Sequence, residues 1–240
     1  MRVGILDSGI GGLNTFSAIY GIENRNNYVY LADDLNAPFG NKSEAELMRI
    51  AERGIGRLKK LGCEIIVFAC NTLTTVTIEE MRRRHGDITL IGAEPAVYPA
   101  SRYGGKIALL GTVATVNSAR VKKLINGNTD VDCYSFASLA GIVEHSAPHF
   151  EELDGYVKRL LHFLAGYDGV VLGCTHYIFL KPNIERVFPK IKIFDGDDGI
   201  ARNVRAHSFR FGQFSRPLFL TSSGKSAGEY EKLFYFLLRE

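Results

Sequence analysis

Two cysteines in this chain each close an apolar run of strand character. Ile65-Ile66-Val67-Phe68 leads into Ala69-Cys70-Asn71-Thr72, and Gly169-Val170-Val171-Leu172 leads into Gly173-Cys174-Thr175-His176-Tyr177. Two thiols facing one pocket suit proton transfer at carbon from opposite sides. One thiolate removes a proton from a stereocentre, and the opposite thiol returns one to the other face. A free cysteine titrates near ~8.5, so the base form needs donors or charge close by. Asp7 and His176 fall near the two cysteines in this arrangement and can orient them or relay protons. Each cysteine also precedes a helical segment. A helix N-terminus favours a thiolate, and its N–H groups suit a carboxylate.

The bland readings stand beside this one. Cysteine is among the most buried residue types, so Cys63 and Cys133 read as inert core. His176 could instead join the cysteines on a metal. No third partner stands at ligand spacing and no C-x-x-C occurs, so no metal is expected. Asp33 and Glu144 read equally as caps or surface carboxylates.

The rest of the chain supplies the elements that must position these residues. Arg2 to Leu6 reads as a strand, closed by Asp7-Ser8-Gly9-Ile10-Gly11-Gly12 and continued by a helix to about Tyr20. The glycine-rich turn, with Asp33 about 20 residues on, invites a dinucleotide-binding reading. That match fails: Asn14 stands where the third glycine belongs, and an aspartate at the strand end would crowd a pyrophosphate. Tyr28 to Ala32 is a second strand, and Pro38 and Gly40 mark an irregular loop. Ser43 and Glu46 have capping-box spacing and open a helix to about Leu61. Glu64 to Ala69 is a strand, Thr74 to Arg84 a helix and Thr89 to Gly92 a strand.

The pattern then restarts. Lys106 to Leu110 reads as a strand, Ser118 to Ile125 as a helix and Val131 to Phe136 as a strand, with a loop carrying Glu144 and His145 after it. Glu152 to Leu164 has helical spacing, Gly169 to Gly173 delivers Cys174, a helix runs from Pro182 to Phe188, and Ile191 to Phe194 is a strand. Arg2 precedes Cys70 by as many positions as Lys106 precedes Cys174. The expected fold class is therefore α/β: two pseudo-symmetric, mostly parallel-sheet halves with the active site in the cleft between them. One domain is expected over 1–95 plus a returning tail, 207–240, and the other over 96–206.

Composition narrows the function classes. The 240 residues are 46% hydrophobic and 23% charged, ordinary for a globular protein. A net charge of +3 is too small to argue for nucleic acid, and Arg82-Arg83-Arg84-His85 reads as the solvated end of a helix. No apolar run approaches the ~18 residues of a membrane span, and Met1 to Asp7 reads as a strand, not a signal peptide. A cytoplasmic location is expected, with no nucleic-acid or membrane partner and with the cysteines as free thiols.

Taken together, several motifs resemble those of bacterial glutamate racemases over most of the chain and in the same order. They are Asp7-Ser8-Gly9-Ile10-Gly11-Gly12-Leu13, Pro38-Phe39-Gly40, Ala69-Cys70-Asn71-Thr72, Glu94-Pro95-Ala96, Gly173-Cys174-Thr175-His176-Tyr177 and Thr221-Ser222-Ser223-Gly224. The resemblance implies a cofactor-independent racemase that interconverts L- and D-glutamate, supplies D-glutamate for peptidoglycan and forms a homo-oligomer, as a dimer. It implies that Cys70 deprotonates the D-isomer with help from Asp7, and Cys174 the L-isomer with help from His176. Asp7, Ser8, Phe39, Gly40, Asn71, Thr72, Thr175 and His176 would hold the substrate. Asp33 and Glu144 match further acidic positions near the family's pocket.

Some residues depart from the pattern. Phe39 stands where the family usually has Tyr, Ile178 where it has Pro, Leu73 where Ala is common and Gly196 where Ser is common. None removes a proposed acid or base. The rival readings are a racemase of aspartate or another acidic amino acid, a single-thiol decarboxylase of a malonate-like acid, and a binding or regulatory homologue that contacts gyrase or another partner. Aspartate racemases usually carry Glu where His176 stands, and a single-thiol enzyme would not retain both Cys70 and Cys174.

Overall fold

A computed structural model describes residues 1–126, 130–208, 215–224 and 226–239. The first half is built from β1 (Arg2–Asp7), α1 (Gly12–Ile22), β2 (Asn27–Ala32), α2 (Glu44–Lys60), β3 (Ile65–Phe68), α3 (Asn71–Arg84) and β4 (Thr89–Gly92). The second contains α4 (Val97–Tyr103), β5 (Ile107–Gly111), α5 (Val113–Asn117), α6 (Ala119–Ile125), β6 (Val131–Ser135), α7 (Leu139–Ser146) and α8 (Asp154–Leu160). It continues through β7 (Gly169–Gly173), α9 (Thr175–Ile178), α10 (Lys181–Val187), β8 (Lys192–Phe194) and α11 (Asp197–Ala206), and the tail adds β9 (Leu218–Thr221) and α12 (Ala227–Leu237).

The duplication suggested by the cysteine spacing is visible in the strand order. The first sheet runs β4-β3-β1-β2-β9 and the second, from edge to edge in the same sense, β8-β7-β5-β6, so each half repeats one arrangement. All the pairs are parallel, and Val3 lies opposite Ile65 with the same offset as Ile107 opposite Gly169. β9 extends the first sheet alone, at the free edge of β2. Strands β1, β3, β5 and β7 are central and buried, which is why they read as continuous apolar runs.

Local chemistry starts and stops the helices. The Ser43 side chain accepts from the Glu46 N–H, and the Glu46 carboxylate accepts from the Ser43 N–H at 2.9 Å, the reciprocal cap that the spacing predicts. α3 begins at Asn71, three residues before the expected start, so Cys70 itself is its N-cap residue. The expected loop around Glu144 is instead helix α7, with Leu139 and Val143 buried one turn apart. Small and polar residues on its other faces mask that stripe in the sequence. The helix expected over Glu152 to Leu164 breaks at Leu161, and only Asp154–Leu160 is α-helical.

Packing ties the halves together. α11, expected with the second half, packs on α1 of the first, where the Thr15 hydroxyl donates to Asp197 at 2.6 Å. Arg120 of α6 reaches Glu79 of α3 at 2.6 Å and also binds Glu94, at the link between the halves. No helix among the described residues is long and apolar enough to cross a membrane.

The tail docks through aromatic rings. Phe234 of α12 is fully buried and stacks on Phe16 of α1 at 4.2 Å, with Phe219 of β9 at 5.5 Å. Removing that ring leaves a cavity that rigid neighbours cannot fill. Phe234→Ala is expected to lower stability by about 3–5 kcal/mol, read as a drop in the urea midpoint at unchanged slope.

Candidate active site

The central strands of both sheets deliver their C-terminal ends to one cavity of about 240 Å³. That is below the roughly 300–1,000 Å³ of drug-sized pockets, and suits a small metabolite. β1 contributes Ser8, β3 leads to Cys70 and Thr72, β5 to Thr112, and β7 to Cys174, Thr175 and His176. Phe39 and Gly40 close one side from the first half, and α7 closes the other. Cys70 and Cys174 are both free and buried, at 5% and 6% exposure. They come from opposite sheets and interact electrostatically.

Each thiol has a different neighbourhood. Burial, then the charge of Asp7, pushes the Cys70 thiol far above its usual range, while the N–H groups of Leu73 and Thr72 pull the other way. These are donors of the first turn of α3, which no intrahelical carbonyl can satisfy. Burial also pushes the Asp7 carboxyl up to about 6, against His176 and the N–H groups of Gly9 and Gly12. Asp7 accepts from the Gly9 N–H at 3.0 Å and from the Thr175 hydroxyl at 3.3 Å, and so sits behind the cavity wall, between the thiols' two loops.

On the Cys174 side the imidazole is held by a carboxylate. His176 Nε2 donates to Glu144 Oε2 at 2.6 Å, and Glu144 Oε2 also accepts from the Ile10 N–H at 3.0 Å. Burial alone disfavours an imidazolium. Hydrogen bonds to Cys174 and Glu144 outweigh it and hold His176 well above the usual histidine value. A protonated His176 therefore places a proton donor at the Cys174 sulfur.

The glycine-rich turn makes this convergence possible through space, not through unusual dihedrals, since none of its glycines has positive φ. A Cβ on Gly9 would meet Glu144 Oε2 at 2.4 Å, and one on Gly11 would meet Thr175 Oγ1 at 2.4 Å. The Tyr30 hydroxyl pins the turn from below by donating to Gly9 O at 2.7 Å.

Not every expected residue reaches the cavity. Asn71 turns away and donates to Ala93 O at 3.1 Å. Asp33 lies outside the lining, its carboxylate accepting from Asn36 at 2.8 Å beside a second hollow lined by Arg53 and Arg57. Its neighbour Asp34 lines the cavity instead. Thr112 and Thr115 carry no role in the sequence reading, yet with Thr72 they form a ring of hydroxyls, at 2.8, 2.9 and 3.1 Å, that joins the two halves. Thr112 follows β5 as Ser8 follows β1, and that equivalence is the signal available for it. Among the described residues no group of three or more His, Cys, Asp or Glu is arranged to hold a metal ion.

Comparison with known proteins gives this geometry a family. The model of the Asp/Glu/Hydantoin racemase family matches residues 29–203. The chain belongs to that family. This racemase-family chain is 31% identical over 225 residues to the glutamate racemase of Lachnospira eligens, covering 90% of the chain and 84% of that protein. The glutamate racemase of Halothermothrix orenii is 31% identical with full coverage of both. A glutamate racemase isoform from Bacillus anthracis superposes with a TM-score of 0.81 at 26% identity, covering 100% of this chain and 94% of that one.

The Asp7 environment carries a stability signature with a definite sign. Its carboxyl titrates near 6 in the fold and near 3.8 in the open chain. The fold thus prefers the neutral form, and stability is lost as pH rises through about 6. Asp7→Asn is expected to stabilise the ligand-free protein by ~2–3 kcal/mol at pH 7–8, the gain shrinking towards pH 4. Urea midpoints across that range check it.

Proposed function

We propose that this protein racemises glutamate by a two-cysteine mechanism that needs no cofactor. The single observation that carries the reading is the pair of buried thiols, Cys70 and Cys174, opening from opposite sheets onto one small cavity. Starting from L-glutamate, the Cys174 thiolate takes the Cα proton. The Cα–H bond breaks, an S–H bond forms and the electron pair stays on the substrate as a carbanion delocalised into its carboxylate. The Cys70 thiol then donates its proton to the opposite face, giving D-glutamate and leaving Cys70 as the thiolate. The reverse reaction exchanges the roles, so protons balance in each direction.

The surroundings support this division of labour. His176, charged and bridged to Glu144, moves or holds the proton at Cys174, and Asp7 does the same beside Cys70. N–H groups at the start of α3 and the hydroxyls of Ser8, Thr72 and Thr112 suit the substrate's α-carboxylate and the charge that builds on it. Among the described lining residues there is no lysine, so no side chain here offers an imine to pyridoxal phosphate. The names of the relatives support glutamate as the substrate. The wider role, a cytoplasmic homodimer supplying D-glutamate for peptidoglycan, rests on the family resemblance.

Purified protein given L-glutamate and no cofactor is expected to produce D-glutamate, followed by circular dichroism. Cys70→Ala and Cys174→Ala are each expected to lower the rate by at least about a thousandfold, the scale of losing an essential acid or base. Near-normal racemisation by either variant would sink the two-thiol mechanism.

A further inference from the structure

We propose that Arg120 is a positioning residue for the two-thiol reaction: by gripping Glu94 it fixes the crossover Ala93-Glu94-Pro95 as the spacer that sets how far apart Cys70 and Cys174 stand. This rests on the two-cysteine reading and concerns residues that lie outside the cavity lining.

The crossover leaves β4 and enters α4, so it carries the chain from the first half to the second, and on the way it touches both cysteine loops. The Ala93 N–H donates to Phe68 O at 2.9 Å, and Ala93 O accepts from the Asn71 side chain at 3.1 Å. Ala93 is thereby bonded to the chain on either side of Cys70. Two residues on, Pro95 packs against the end of β7. A Cβ added to Gly173, the residue before Cys174, would meet Pro95 Cγ at 3.4 Å. Ala93 and Pro95 are both buried. A shift of this short segment therefore passes into the separation of the thiols.

Glu94 lies between those two contacts, and one side chain holds it. Arg120 Nε donates to Glu94 Oε1 at 2.8 Å, and Nη2 donates to the same oxygen. Among the described residues the Glu94 carboxylate has no other partner. Gly196 bounds the backbone from another side, where an added Cβ would meet Glu94 O at 2.9 Å. The guanidinium also donates to Glu79 at 2.6 Å, on the helix whose N-cap residue is Cys70. The Glu79 side chain is 75% exposed and that of Glu94 only 32%. Exposed ion pairs hold little, so the grip on Glu94 is the effective one.

Delivering protons to opposite faces of one carbon tolerates little error: a misplacement of about 1 Å can cost about a hundredfold. Chemistry that uses one thiol does not depend on the separation of the two. That difference distinguishes a positioning role from general support of the fold.

Two reactions of the wild type, Arg120→Gln and Glu94→Gln test this. Racemisation of L-glutamate uses both thiols, whereas loss of HCl from 3-chloro-L-glutamate uses one. In the second reaction the Cys174 thiolate takes the Cα proton and chloride leaves Cβ with its bonding pair. The enamine so formed takes up water to give 2-oxoglutarate and ammonia, which are measured. Each variant is expected to lose about tenfold in kcat for racemisation with KM within about threefold, and to keep elimination within about twofold of the wild type. The double variant is expected to fall no more than about twofold below either single one, since both changes remove one tether. Glu94→Gln keeps the shape of the side chain and carries the test if Arg120→Gln does not fold. Near-normal racemisation, equal losses in both reactions, losses that multiply in the double variant, or failure of both variants to fold each overturn the Arg120 assignment and leave the racemase reading standing. A wild type that racemises no glutamate overturns both.

Discussion

The hydrogen bond from His176 to Glu144 is short, mostly buried and made between two elements of the second half, yet its geometry depends on the first. Glu144 is also anchored by the Ile10 N–H, in the glycine turn after β1. That one carboxylate therefore fixes the imidazole behind Cys174 and the position of the turn that carries Asp7 towards Cys70. Gly9 has to lack a side chain for the approach to occur at all. A buried acid–base pair left half-satisfied would cost more than the pair gains. The satisfied version holds both sides of the cleft in register.

Around this constraint the electrostatics divide the site. Burial pushes the Asp7 carboxyl up to about 6 against the pull of His176, and burial together with the Asp7 charge keeps the Cys70 thiol protonated. Burial with a carboxylate partner keeps His176 charged beside Cys174. Two thiols of identical chemistry thus receive different helpers, one acidic and one cationic. Such a separation of environments is how a site prepares a base on one face and an acid on the other. The hydroxyl ring of Thr72, Thr112 and Thr115 adds an uncharged link between halves near the reacting centre.

Much of this is legible from residue order because parallel strands buried on both faces leave continuous apolar runs, and the residues just past the end of such a run lie at a functional edge. Cys70, Cys174, Asp7 and the repeat of β-α-β units can be read that way. Helix α7 cannot, since its buried stripe is two residues, Leu139 and Val143, among small and polar ones. Residue order therefore puts Glu144 on a loop and hides its bond to His176. Asp33 and Asp34 are adjacent at the end of β2, and only the turn beyond them decides which faces the cleft. Asn71 sits beside Cys70 in sequence, but the helix begins there and turns its side chain towards Ala93. Local spacing does not encode such rotations.

The central claim is that protons reach and leave Cα through different thiols on opposite faces. It is tested most directly by dissolving L-glutamate with the wild-type enzyme in D2O and analysing both isomers at low conversion by mass spectrometry. Two facing bases predict D-glutamate that carries deuterium at Cα while the remaining L-glutamate retains protium. D-glutamate that carries the original protium would mean one group removes and returns the same proton, and would contradict the account.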